Sequence, residues 1–268
     1  MLYDVSGNIL YNDKAASFSD NMELDYAYDS DTNANYSVIR VFQTKRDGTK
    51  QYPFVRYPGR MKASELAAQE GWSLIINAGL GVSASQPIDG VAIENGIVKN
   101  DGPATYHVGA MPLTIDTNGN LNAVDANTTA SSLVSEGIVS ATCGFCAIID
   151  NYQAVSPLPD VNIGGAGNHF NQNAQRQIIG QFGNGDYAIV SCAGRSQFNS
   201  DGWKLSEAQT ICIKLGLKFA YNLDGGKSVA TFLRKKPVWD FMAGETRIVP
   251  SFIVFNGTDT FSIPSANI

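Results

Sequence analysis

The chain has 268 residues, of which only 16% are charged, and a formal net charge of −6. That length suits one large domain, or one domain with a small appendage, and can bury a substantial core. Beyond Arg234-Lys235-Lys236 there is no basic run to recruit a phosphate backbone, which argues against nucleic acid as a partner. No stretch approaches the roughly 18–20 apolar residues of a membrane helix, so no membrane partner is expected.

Met1 to Asp13 has no basic region followed by an apolar run, so no signal peptide is expected. Residues 1–35 are rich in Asp, Asn, Ser and Tyr with little periodicity, and read as an arm or attachment segment; 36–268 read as the folded domain. Val38–Phe42 is a predicted strand, and Asp47-Gly48 a tight turn. Ala63–Glu70 is a short predicted helix stopped by Gly71. Ser73–Ile76 is a continuous apolar run and hence a buried strand. Short strands follow at Gly90–Ile93, Ile97–Lys99, Pro112–Asp116 and Phe145–Ile149, with hairpin-type turns at Asn95-Gly96 and Asn118-Gly119. The Thr/Ser-rich residues 125–140 read as loop, and 156–175, with its prolines and glycines, as a long surface loop.

Arg176–Ile179 and Tyr187–Ser191 read as a strand pair around a Gly/Asn/Asp turn. A helix follows with Ser206 as N-cap, Gln209 completing a capping box, apolar Ala208, Ile211, Cys212 and Leu215, and Gly216 as its stop. Lys218–Asn222 is then a strand that delivers the loop Asn222-Leu223-Asp224-Gly225-Gly226-Lys227-Ser228. Val229–Leu233, Ser251–Phe255 and Thr260–Ile263 complete the strands. Strands outnumber helices and hairpin turns recur, so the expected class is α+β, with a twisted, mostly antiparallel mixed sheet and a few helices packed on it.

Four cysteines are present. Cys143-Gly144-Phe145-Cys146 has redox spacing, but a strand follows where a thioredoxin-like site needs a helix, and Cys192 and Cys212 supply no second close pair for zinc. Buried or free thiols are the plainer reading, with a disulfide as the alternative. Lys227-Ser228 has the end of a P-loop, but Tyr221 stands where the first glycine belongs. Loop 222–228 therefore reads either as a turn stabilised by Asp224 or as a sugar or phosphate site built from a carboxylate, an amide and exposed backbone N–H groups. His107 reads as structural; His169, in the polar loop before Arg176, is a candidate proton shuttle. Of Trp72, Trp203 and Trp239, Trp203 is the candidate sugar-stacking platform. No cofactor is predicted and no spaced metal-ligand set is visible, although Asp and Asn oxygens could hold Ca²⁺.

Asn222-Leu223-Asp224-Gly225-Gly226-x-Ser228 resembles the signature of the phosphodiester glycosidase family. Four further segments agree in order: Ser64–Ala67 with Leu74-Ile75-Ile76-Asn77-Ala78-Gly79, Pro112–Ile115, Arg176–Gly180, and Leu205–Gly216. The similarity spans roughly residues 60–255. It implies hydrolysis of a sugar-1-phosphodiester, with water cleaving the sugar–oxygen bond and a phosphomonoester leaving. Arg176 and Arg195 would hold the phosphate, since the guanidinium fork is planar and bidentate. Asp224 would be base, nucleophile or cation stabiliser. Asn77, Gly79, Asn222 and Ser228 would contact the sugar, with Gly225 and Gly226 as backbone donors. The sequence departs from the family at three points: Ala193-Gly194-Arg195 replaces Asp-Gly-Arg, Lys227 replaces the third signature glycine, and Leu80-Gly81 replaces an aromatic pair.

Two further readings stand beside the glycosidase. One is a carbohydrate-binding or structural module that keeps the scaffold without the chemistry. The other is a virion component: the polar N-terminal segment is similar to attachment regions of phage tail proteins, and would engage assembly partners. The expected location is then extracellular or virion-associated, and cytoplasmic before assembly or lysis.

Overall fold

The computed structural model describes residues 17–19, 21–69, 71–167, 169–195, 199–239 and 247–257. Three sheets carry the fold. The largest has eight strands, in spatial order Ser17–Ser19, Met22–Asp29, Ala34–Val41, Tyr187–Cys192, Arg176–Gln181, Phe219–Asn222, Cys146–Asp150 and Gln153–Ala154. A five-stranded sheet runs Lys236–Pro237, Thr231–Leu233, Trp72–Asn77, Phe252–Asn256, Phe54–Arg56. A second runs Leu121–Ala123, Pro112–Asp116, Ile138–Cys143, Ala92–Glu94, Ile97–Asn100. His107–Val108 and Asn162–Ile163 form a two-stranded ribbon.

Antiparallel sheets commonly leave one face in water. Here both faces of the eight-stranded sheet are covered. Ile39, Ile179, Ile189 and Tyr221 on one face pack against Leu74, Ile76, Phe232, Phe252 and Val254. Val38, Ile178, Val190 and Ala220 on the other pack under the 205–214 helix through Leu205, Ala208, Ile211 and Cys212. This is why Arg176–Gln181 and Tyr187–Cys192 are buried at every position, polar residues included.

Every pairing between named strands is antiparallel among the described residues, so the sheets are antiparallel rather than mixed. The described α-helices are Ala63–Ala68, Ala130–Ser135 and Leu205–Lys214, and the balance lies further toward β than the α+β expectation. Three local expectations are corrected. The boundary expected after residue 35 falls inside the Ala34–Val41 strand, and Met22–Asp29 pairs with it along eight residues. Met22 and Leu24 are buried in the core, so 22–35 belong to the fold. Residues 1–16 and 20, like Thr260–Ile263, lie outside the described residues.

Residues 125–140 contain a helix and the start of a strand instead of a loop. Thr129 caps the helix by accepting from Ser132 N–H. The strand buries Ser140 and Thr142, whose hydroxyls meet Val55 N–H at 3.3 Å and Ser251 Oγ at 3.4 Å. The last helix starts one residue before Ser206. Its N-cap is Lys204, whose N–H donates to Glu207 Oε2 at 2.7 Å. The four cysteines are free and buried; burial pushes the Cys146 and Cys212 thiols up to about 12 and the other two higher. They are packing residues, not redox groups.

Candidate functional site

The loop after Phe219–Asn222 lies where the two largest sheets meet. Leu223 N–H donates to Gln177 O at 2.8 Å and Gly226 N–H to Gln175 O at 2.9 Å, so the loop rides along the start of the Arg176–Gln181 strand. A Cβ at position 225 would meet Gln175 O at 2.7 Å, which reserves that position for glycine. Gly226 has φ +58° and opens a single 3₁₀ turn to Ser228. From the other side Asn77 straps the loop. Its Nδ2 donates to Asp224 O at 2.7 Å and its Oδ1 accepts from Ala230 N–H at 3.0 Å.

This arrangement presents Asp224 to a cleft of about 160 Å³. The cleft is lined by Phe145, His169, Gln172, Ala174, Arg176, Arg195, Asp224, Gly225, Gly226, Lys227 and Arg247. Six expected site residues are thus brought together: His169, Arg176, Arg195, Asp224, Gly225 and Gly226. Four cationic side chains surround one carboxylate, in a chain whose net charge is −6. Such a concentration of one sign in a concave site focuses its field on an anion.

The two expected arginines differ in kind. Arg176 is buried and ties the 169–175 chain to the sheet. Its Nε donates to Trp203 O at 2.9 Å, and one terminal nitrogen donates to His169 O at 3.0 Å and Gln172 O at 2.8 Å. Its other terminal nitrogen has no hydrogen-bond partner among the described residues. Burial, with the nearby Arg195 charge adding to it, pushes Arg176 down to about 10, still cationic at neutral pH. Arg195 is exposed and holds φ +55°, a conformation costly for a residue with a Cβ. Its guanidinium lies against Gly226, where a Cβ would sit 3.5 Å from it.

Five expected contacts are placed elsewhere. Trp203 is fully buried; its Nε1 donates to Thr32 Oγ1 at 2.9 Å and its ring packs on Tyr36, so it underlies the site and offers no face to a sugar. Gly79 is a packing glycine, since a Cβ would meet Thr142 Oγ1 at 2.3 Å, and its N–H donates to Ser251 Oγ at 2.8 Å. Asn77 positions the loop rather than a ligand. Asn222 is 1% exposed, and among the described residues neither of its amide atoms has a hydrogen-bond partner. Ser228 is buried as well. Its hydroxyl is near enough to influence the Asp224 carboxyl, though it makes no hydrogen bond of normal geometry.

Burial raises the Asp224 carboxyl above the ordinary carboxylate range. Ser228, the charges of Arg247 and His107, and Gly225 N–H oppose that shift without cancelling it. A raised carboxyl exchanges protons nearer neutrality, which suits acid–base work. Beside it stands a pair that sequence did not single out. Asp89 Oδ2 accepts from both His107 N–H and His107 Nδ1 at 2.8 Å, and Asp89 Oδ1 from Thr105 N–H at 2.8 Å. Burial pushes the Asp89 carboxyl up, but hydrogen bonds from His107, Thr105 and Tyr106 outweigh it and hold Asp89 well below the usual range. Asp89 is therefore ionised, which fixes the proton of His107 on Nδ1. The His107 ring packs edge-on against Phe145, a cleft residue.

Arg247, Gln172 and Phe145 were not expected. Arg247 is 20 residues beyond Lys227 in sequence, yet its N–H donates to Lys227 O at 3.3 Å. No local pattern marks it. Lys227, a departure from the family signature, adds a cation to the rim.

The fold and site define a class of protein: antiparallel sheets that carry a glycine-rich loop and a cation-lined cleft at a strand end. The fold resembles the catalytic domain of zebrafish N-acetylglucosamine-1-phosphodiester α-N-acetylglucosaminidase, auto-inhibited by its pro-peptide, with TM-score 0.66, 14% identity, and 96% of this chain and 87% of that one covered. It equally resembles a hypothetical protein from Synechocystis, with TM-score 0.66, 13% identity, and 90% and 63% covered. No curated protein matches by sequence. The family model for phosphodiester glycosidases matches residues 70–256, more than half of the chain. The chain belongs to the phosphodiester glycosidase family.

Proposed function

We propose that the chain hydrolyses a sugar-1-phosphodiester, releasing free sugar and a phosphomonoester. The observation that carries this reading is the cleft of four cations around one raised carboxylate. Arg195, Lys227 and Arg247 meet the phosphate, with the free terminal nitrogen of Arg176 behind them. They also stabilise charge on the departing phosphate oxygen, which lessens the demand for a strong acid. Asp224 faces the anomeric carbon, as base toward water or as stabiliser of the oxocarbenium-like state. Gly225 and Gly226 leave that approach open.

A second reading, a binding module without turnover, is favoured by one observation. Ala193, where the family carries Asp, is fully buried and does not line the cleft. Among the described residues the cleft thus has one carboxylate where two are usual in glycoside hydrolysis. The deciding experiment is release of sugar and phosphomonoester from a panel of sugar-1-phosphodiesters that includes UDP-N-acetylglucosamine. Release by the wild-type chain supports the enzyme. Binding of a glycan with no release from any member supports the module.

A cell-surface glycan or wall polymer is the substrate context proposed, reached from outside the cell, with the polar N-terminal residues engaging virion partners. Absence of the protein from purified particles would remove the virion part of this proposal.

A further inference from the structure

The candidate site uses one end of the sheets. The opposite end carries a larger cleft of about 510 Å³, a volume typical of small-ligand sites. Its walls are the far ends of strands that lead to the candidate site. Val139 lines it near the start of Ile138–Cys143, whereas Cys143, roughly 13 Å along that strand, bonds Leu80 N–H through its carbonyl. Asn256 lines it opposite Trp72, whereas Ser251, before the same strand, holds Gly79. Among the described residues the two clefts share no lining residue.

The larger cleft is built from ordered parts. Tyr52 lies over Gly119 so closely that a Cβ there would meet its Cδ1 at 2.3 Å. Phe54 packs on Trp72 at 5.9 Å between ring centroids, and the Arg56 guanidinium lies 5.7 Å from the same indole. The rim loop is closed by Lys45 N–H to Thr49 O at 2.8 Å and Gln51 N–H to Gln43 O at 2.9 Å. Its two carboxylates among the described residues differ: Glu94 is paired with cations, whereas Asp116 is hydrogen-bonded by its own turn and keeps its charge. Glu94 holds Arg56 at 2.8 Å and Lys99 at 3.2 Å, and Asp116 accepts from Asn118 and Asn120 N–H groups. Among the described residues Lys50 Nζ meets neutral oxygens, Thr44 Oγ1 at 2.6 Å and Gln43 Oε1 at 3.4 Å.

Aromatic surface beside a lysine held by neutral oxygens suits a sugar that carries negative charge. We propose that this cleft is a second saccharide-binding site, taking a short stretch of phosphate-bearing glycan with sugar faces on Tyr52 and Phe54 and its phosphate at Lys50. Such a site would hold a polymer at the opposite end from the one where it is cut.

The test is calorimetric titration of the full chain with trisaccharides of glucose, mannose and N-acetylglucosamine, each with and without a terminal phosphate. Saturable binding of a phosphorylated member is expected. It should weaken at least tenfold in Tyr52→Ala and in Lys50→Glu, an exposed position, and be unchanged in Arg195→Ala. Both variants at the larger cleft should keep wild-type turnover of a small soluble phosphodiester, so failure here leaves the first cleft's assignment standing. No saturable binding by any member, equal affinity without phosphate, or indifference to Tyr52→Ala and Lys50→Glu would each overturn the proposal.

Discussion

The floor and the rim of the candidate cleft are made differently. The floor, Asn77, Arg176, Asn222, Gly225 and Ser228, is buried or fixed by hydrogen bonds to backbone. The rim, His169, Arg195, Lys227 and Arg247, is exposed at every position. The signature loop therefore shapes and holds one carboxylate, while the charge that would read a ligand comes from scattered surface residues. Substitutions in the floor should act on stability, and substitutions in the rim on affinity.

The largest effect expected is at Trp203, beneath the floor. Trp203→Ala should cost about 3–5 kcal/mol in chemical denaturation, because a fully buried ring is lost. Ligand affinity measured on the folded fraction should be unchanged; a selective loss of affinity would return Trp203 to the site. Asn77→Ala comes next. It strands Asp224 O and Ala230 N–H, at about 1–3 kcal/mol for each group left unpaired. Arg195→Ala and Arg247→Ala should leave stability within about 0.5 kcal/mol, as ordinary surface changes do. Each should still raise KM for a phosphodiester about tenfold, in line with about 1.5–3 kcal/mol for a charge-assisted hydrogen bond. Equal loss of stability in rim and floor variants would erase the distinction.

The smallest effect is on pH dependence. Folding raises the Asp224 carboxyl, so the native state binds that proton more tightly than the unfolded chain. Its contribution is most favourable below the unfolded carboxylate range and is lost as pH rises through the native value. Asp224→Asn should therefore raise Tm at pH 8 relative to wild type, with the difference shrinking toward pH 4. A destabilised variant at pH 8 would mean that Asp224 is held as a favourable ion instead.

Much of the fold was legible in the sequence, and for physical reasons. Leu74-Ile75-Ile76 is a continuous apolar run because the strand Trp72–Asn77 is buried from Ser73 onward. Asn95-Gly96 and Asn118-Gly119 announced turns because both glycines take positive φ. Met22–Asp29 was hidden because its Asp25, Tyr26 and Tyr28 carry polar groups at strand positions, with Asp25 itself buried. Ile138–Cys143 was hidden because it buries Ser140 and Thr142, which pair with other strands. The site was half legible. The signature residues could be found because they are contiguous, but their roles divided by burial, which sequence does not record. Arg247 and the Asp89–His107 pair come from distant segments and depend on tertiary packing alone.

The most direct measurement is kcat for release of sugar from the best phosphodiester of the panel, in wild type and in Asp224→Asn, with folding checked by thermal melting. A fall of at least about a hundredfold in a folded variant is predicted, the scale of a lost acid–base group. Unchanged kcat in Asp224→Asn would contradict the account, because Asp224 is the carboxylate that lines the cleft among the described residues.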